Sequence, residues 1–243
     1  MRRVGQEVLD EGLDALYNIP GRISRSYLVK SPVPTGPWRG VMSAPNAFAN
    51  ECFLDEVAAA LKQDPYEFRL GLLANGSYLR PVLELAATKA NWGSPLSEGH
   101  GRGIAAQVYH KAIVAMVAEV SVQEGALRVH KVVCAIDCGR VIHPDMVAQQ
   151  IEGSVVYGLT TLLKGEITYK QGRVQQSNFH DYEMVRIEET PEIDVLLSPR
   201  GGEKWGGMAQ SSTVLVAPAV CNAIFAACGK RVRKLPLSDA KLG

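Results

Sequence analysis

Residues 112–137 read AIVAMVAEVSVQ, Glu124-Gly125, ALRVHKVVCAID. Two β-branched runs split by a two-residue turn signal form an antiparallel hairpin. Within it Val117, Glu119 and Ser121 alternate with Ala118, Val120 and Val122, the period-2 pattern of a strand with two distinct faces. GRGIAAQVYH, from Gly101, reads as a further strand just before it. A hairpin alone is marginal in water, so the rest of the chain must cover it.

The cover is legible as helices. Asn46 to Lys62 carries apolar residues at Phe48, Cys52, Phe53, Val57, Ala60 and Leu61, a helical spacing with Pro45 tolerated in the first turn. Asp64-Pro65 is a capping residue followed by proline and opens a helix running through Leu73; another follows from Leu79 to Asn91. After His143-Pro144 a long apolar-periodic helix spans Asp145 to Leu163. GEITYKQGRVQQS turns at Gln171-Gly172, EIDVLLS is one more strand, and a last helix runs from Val216 to Cys228 with Gly229 as its terminator. The first 40 residues are irregular and end in SPVPTGPWRG, whose prolines and glycines forbid a continuous helix. Strands and helices mix without a strict βαβ rhythm, which implies an α+β (mixed α/β) fold. We divide the chain into an N-terminal irregular or strand segment, 1–31, and a main unit, 32–243.

Composition narrows the function classes. A formal net charge of +1 over 243 residues is not that of a phosphate-neutralising protein, so no nucleic-acid partner is expected. The longest apolar stretches, such as Val214 to Phe225, fall short of the ~20 residues of a membrane span, and the N-terminus lacks the apolar core of an export signal. The compartment, cytoplasmic or periplasmic, stays open. Five cysteines in apolar contexts read as reduced thiols, and Cys134 with Cys138 does not make a zinc site.

Four loops carry residues that a purely structural chain has little use for. In TGPWRG, residues 35–40, Arg39 sits between Trp38 and Gly40 just before a helix; its donor fork suits a phosphate or oxo group, or a carboxylate partner. DCGRVIHP, residues 137–144, leads into a helix bearing Gly153, Ser154 and Gly158, small residues that accommodate either a ligand or another backbone. GGEKWGGMAQSST, residues 201–213, is a surface loop or a pocket wall. In SNFHDY, residues 177–182, His180 and Asp181 are an acid/base pair or a hydrogen-bonded turn.

In this order the four loops resemble the C-terminal part of the molybdenum-binding large subunit of the xanthine dehydrogenase/aldehyde oxidase family, in particular its isoquinoline 1-oxidoreductase β-subunit group. The similarity rests on PVPTGPWRGVMSAPNAFANECFLDEVAAALKQDPYEFR, VVCAIDCGRVIHPDMVAQQIEGSVVYGL, GEITYKQGRVQQSNFHDYEMVRIEETPEI and VAPAVCNAIFAACGKRVRKLPL, and covers nearly everything from Pro32. It implies part of the molybdopterin-binding domain, and oxidation of an aldehyde or N-heterocycle with water as oxygen source. The implied cofactor is molybdopterin with molybdenum, in bacteria as the cytosine dinucleotide; electrons leave through a [2Fe-2S] small subunit. Carried over residue by residue, Trp38, Arg39, Gln150 and Gly153 would lie on the cofactor, with no side chain of this chain ligating the metal. Val41 stands where xanthine-type members have a substrate-stacking aromatic.

Two departures shape the expectation. The family's general-base glutamate stands in GGxGEPxxPPVAPA; counting back from VAPA at 216–219 places Gln210 there. An amide hydrogen-bonds but does not take a proton near neutral pH, and losing such a base costs about 10²–10⁴ in rate. Glu203 is the one carboxylate of that loop. Family large subunits are also several times longer, and their MGQG-type cofactor loop has no counterpart here. The expected partners are therefore the remainder of the large subunit, carried on a separate chain, the [2Fe-2S] small subunit, and the small aldehyde or heterocycle. Three readings follow: a piece of a molybdenum hydroxylase completed by another chain, a catalytically silent or altered binding component of such an assembly, or a globular remnant with an unrelated binding function.

Overall fold

The hairpin is the middle of a four-stranded sheet in a computed structural model of the chain. The structure describes residues 16–21, 36–198 and 204–242, with 23, 25, 27, 29 and 33. Most of the 1–31 segment, Thr35 and Glu203 lie outside the described residues.

Strands β1 (His100–Tyr109), β2 (Ala112–Gln123) and β3 (Ala126–Asp137) run antiparallel in sequence order. Two short strands, β4 (Tyr169–Lys170) and β5 (Arg173–Val174), pair apart from this sheet, and β6 (Glu192–Leu197) joins it parallel to β3. Glu124 and Gly125 both adopt positive φ, 50° and 81°, the twist a two-residue hairpin turn requires. His110 and Lys111 do the same at the β1–β2 turn, with φ of 46° and 68°; neither residue type signals such a turn in the sequence.

The helices are α1 (Ser43–Ala60), α2 (Pro65–Gly71), α3 (Leu79–Lys89), α4 (Pro144–Leu163) and α5 (Thr213–Cys228). On one sheet face Val114, Met116, Val132 and Cys134 pack with Ile151 and Leu159 of α4 and Leu215 and Ile224 of α5. On the other, Ile113, Ala115, Val117 and Val133 meet Val82, Leu83 and Ala86 of α3. Burial on both faces is why the first half of β2 is continuously apolar, with alternation surviving only near its turn. Helix α5 lies directly on the β1 backbone: a Cβ at Gly103 would stand 2.1 Å from the Ala223 nitrogen. The mixed α+β architecture is as expected.

Helix α1 departs from its expected face. Phe53 and Leu61 are 64% and 56% exposed, while Glu51 and Asp55 are buried beside Ala47, Leu54 and Ala58. The carboxylates turn inward because partners await them. Arg69 of α2, itself fully buried, donates through Nε to Glu51 Oε2 at 2.9 Å and through Nη2 to the Glu51 carbonyl at 2.8 Å. Ala106 N of β1 donates to the same Oε2 at 3.0 Å, and Arg231 Nη1 donates to Asp55 Oδ2 at 2.6 Å. A buried charge is tolerated only with this degree of pairing.

Candidate functional site

The site begins at a tight turn. Val41 N donates to the Trp38 carbonyl at 2.8 Å, and the turn needs φ of 99° at Gly40 and 43° at Val41. A β-branched residue in the left-handed region costs on the order of 1–3 kcal/mol and persists only where neighbours enforce it.

The neighbours are residues 209 and 210. Gly40 N donates to Gln210 Oε1 at 2.8 Å; Arg39 donates to the Ala209 carbonyl from Nε at 2.8 Å and from Nη2 at 2.5 Å. Tyr109, at the end of β1, adds its hydroxyl to Gln210 Oε1 at 3.1 Å. Helix α4 closes the third side. Its residues Gln150, Gly153, Ser154 and Tyr157 follow i, i+3, i+4, i+7 spacing and so form one stripe. Gln150 Nε2 donates to the same Ala209 carbonyl at 3.1 Å, Ser154 Oγ accepts from Arg39 Nη2 at 2.6 Å, and the Tyr157 ring lies under both Trp38, stacked at 4.8 Å, and Arg39, at 5.4 Å. His143 caps α4, accepting from Met146 N through Nδ1 at 3.3 Å.

Trp38, Arg39, Gln150 and Gln210 thus converge from three distant segments, with Gly153 on the same α4 stripe. Of the partners expected for Arg39, a carboxylate is not found among the described residues: its guanidinium grips the Ala209 carbonyl and the Ser154 hydroxyl. Burial holds its guanidinium below the ordinary value, yet it remains cationic at neutral pH. The two helix glycines separate cleanly. A Cβ at Gly158 would meet Val216 Cγ2 at 2.7 Å, so Gly158 serves α4–α5 packing; one at Gly153 would meet nothing within 4 Å. The described part of the glycine-rich loop is tied to the sheet ends: Gly206 N donates to the Cys138 carbonyl at 2.8 Å and Gly207 N to the His110 carbonyl at 2.9 Å.

His180 and Asp181 stand apart as a turn. Asp181 accepts from Ser177 N and Asn178 N, which hold its carboxyl down at about 2. The cysteines are free thiols, four of them buried. Beside the turn that carries Arg39, an apolar cavity of about 390 Å³ is lined by Trp38, Val41, Phe48, Leu162, Thr213 and Val214, among others. Among the described residues no helix is long and apolar enough to cross a membrane.

Sequence reasoning missed Tyr109, Tyr157 and the Ala209 carbonyl. Tyr157 was available from the helical stripe; a backbone carbonyl carries no sequence signal.

The protein's relatives match this frame. A family model described as a molybdopterin cofactor-binding domain matches residues 47–191. The beta chain of isoquinoline 1-oxidoreductase from Brevundimonas diminuta is 32% identical over 92% of this chain and 29% of its own length. One of the subunits of nicotinate dehydrogenase from Pseudomonas putida is 34% identical over 87% of this chain and 20% of its own length. The chain therefore spans less than a third of either relative. In fold it is similar to the aldehyde oxidoreductase of Desulfovibrio desulfuricans, at a TM-score of 0.69 and 16% identity over 85% of this chain and 41% of that one. With more than half of its residues matched by that family model, the chain belongs to the molybdopterin cofactor-binding domain family, that of the molybdenum-binding subunits of xanthine dehydrogenase-type enzymes.

Proposed function

We propose that this chain, through residues 32–243, forms one wall of the molybdopterin site in a molybdenum hydroxylase acting on an aldehyde or N-heterocycle. The remaining walls come from polypeptide outside these 243 residues, and electrons leave through a [2Fe-2S] partner. The observation that carries this reading is the convergence of Arg39, Gln150 and Gln210 on one locus.

The residues suit an anionic, acceptor-rich group. Arg39 Nη1 and Gln210 Nε2 have no acceptor among the described residues, no carboxylate there pairs with Arg39, and the Gly153 position is open. We assign Arg39 and Gln150 to hold the cofactor, with Trp38 as the flat flank, Gly153 as the gap for close approach and the cytosine dinucleotide as its form. When bound, the group supplies a metal centre at which oxygen derived from water is passed to carbon and two electrons are withdrawn. This chain contributes the charge of Arg39, the orientation of donors and the exclusion of water by the stacked Trp38 and Tyr157.

Gln210 stands at the family's base position, and its carbonyl oxygen is already engaged by Gly40 N and Tyr109 Oη. That favours a second reading, in which the assembly binds cofactor but turns over slowly, because an amide accepts no proton. Two experiments decide. The assembly that co-purifies with the chain should hold about one molybdenum per chain by elemental analysis, with Arg39→Ala removing most of it; an assembly without molybdenum overturns the cofactor reading. In that assembly Gln210→Glu should raise dye-linked turnover of aldehydes or N-heterocycles by about 10²–10⁴, the equivalent of roughly 3–5 kcal/mol of barrier. Unchanged turnover would mean that residue 210 is not the base position.

A further inference from the structure

We propose that Tyr109 is the positioning residue of this site. Together with Gly40 N–H, its hydroxyl locks the Gln210 carboxamide in one orientation, so that Gln210 meets its ligand as a hydrogen-bond donor.

The orientation of an amide side chain is fixed by whichever neighbour has only one possible role. Gly40 N–H can only donate, so the atom 2.8 Å from it must be the Gln210 oxygen. The Tyr109 hydroxyl, 3.1 Å from the same oxygen, then donates as well. Both lone pairs of that oxygen are used. The Gln210 Nε2 group keeps two N–H donors with no acceptor among the described residues, at a half-buried position where they are free to meet a ligand. The matching ligand atom is an acceptor: a ring-nitrogen lone pair, or a carbonyl or carboxylate oxygen.

Tyr109 is well placed to hold this geometry. It is 4% exposed, packs edge-on to His110 with ring centroids 4.4 Å apart, and ends β1 immediately before a turn tied to Gly207. The hydroxyl is therefore delivered by the end of a paired sheet strand to a loop that approaches from residues 204–210. The place of the ligand rests on the reading under Proposed function; the Tyr109–Gln210 lock does not.

The test uses the full chain without cofactor, so its failure is distinguishable from failure of the cofactor reading. In the unsubstituted chain, the Gln210 side-chain ¹⁵N amide, assigned by its disappearance in Gln210→Glu, should show backbone-like order on the ps–ns scale, and Tyr109→Phe should release it. The carboxyl introduced by Gln210→Glu should titrate below the ordinary ~4.3 of glutamate, because two donors stabilise its ionised form. Adding Tyr109→Phe should raise that value by about one unit. Tyr109→Phe keeps the ring and its packing, so a merely structural role would leave both readouts unmoved. A carboxyl that titrates at the same pH with and without the hydroxyl overturns the proposal. Should Tyr109→Phe fail to fold, the unsubstituted chain decides: a Gln210 amide as mobile as an exposed glutamine, with an order parameter below ~0.6, overturns it.

Discussion

Arg39 and Ala209, 170 residues apart, are joined by two hydrogen bonds from one guanidinium edge to one carbonyl oxygen. The Gln150 amide adds a third donor to that oxygen. A lysine offers a point charge where this geometry needs a planar fork. Arg39→Lys should lower the stability of the chain by about 1–2 kcal/mol and remove the stacking on Tyr157. Thermal or denaturant unfolding measures the first effect; an unchanged midpoint would mean the fork is not what ties the turn down.

The two glycines of α4 should respond in opposite directions. Gly153→Ala meets open space, so it should stabilise the chain by about 0.5–1 kcal/mol, the helix-propensity gain alone, while reducing molybdenum loading of the assembly. Gly158→Ala drives a methyl into Val216 and should cost about 1–3 kcal/mol. Paired denaturant titrations read both. If Gly153→Ala destabilises, the space beside it is not open.

Arg69 is the buried counter-charge of Glu51, so truncating it strands a carboxylate in the interior. Arg69→Ala should destabilise by about 3–5 kcal/mol. The double change Arg69→Met with Glu51→Leu should recover much of that loss, since removing both charges together leaves none unpaired. A small effect of the single change would show that water reaches Glu51.

Asp181 provides a pH marker. Its folded value, about 2, is set first by the backbone N–H of Asn178 and then by that of Ser177, and lies below the ~3.9 of a free aspartate. A depressed carboxyl contributes stability that is present above the unfolded value and lost as pH falls through the folded one. The 177–181 turn should therefore hold at pH ~5 and loosen between about pH 4 and pH 2. Amide ¹H–¹⁵N shifts of Ser177 and Asn178 should follow with a midpoint near the folded value of about 2; a midpoint at the free-aspartate value of ~3.9 would mean the turn is not formed in solution.

Legibility of the fold followed locality. The hairpin at Glu124-Gly125, the Asp64-Pro65 helix start and the Gly229 stop depend on a few adjacent residues, and each is where the sequence placed it. The buried face of α1 was illegible, because apolar periodicity has no means of showing that Arg69 would meet Glu51 from another helix. In the site, Trp38, Arg39, Gln150 and Gln210 stood out through their motifs. Tyr109 did not, since its role exists only once a strand end and a distant loop lie together. The last helix begins at Thr213 and not at Val216 because the Gln210 and Ser212 carbonyls accept from Thr213 N and Leu215 N, adding a turn before the VAPA motif.

The order in which the site's parts leave the ribosome has a consequence of its own. The turn at Arg39 emerges 170 residues before the carbonyl that grips it. At translation rates of about 5–20 residues per second, Arg39 waits roughly 10–30 s, and Gln150 of α4 about 3–12 s, for the carbonyl that both contact. The grip of Arg39 on Ala209 therefore closes only after the 204–210 loop has been made, so this turn is tied down late in synthesis however early the hairpin forms.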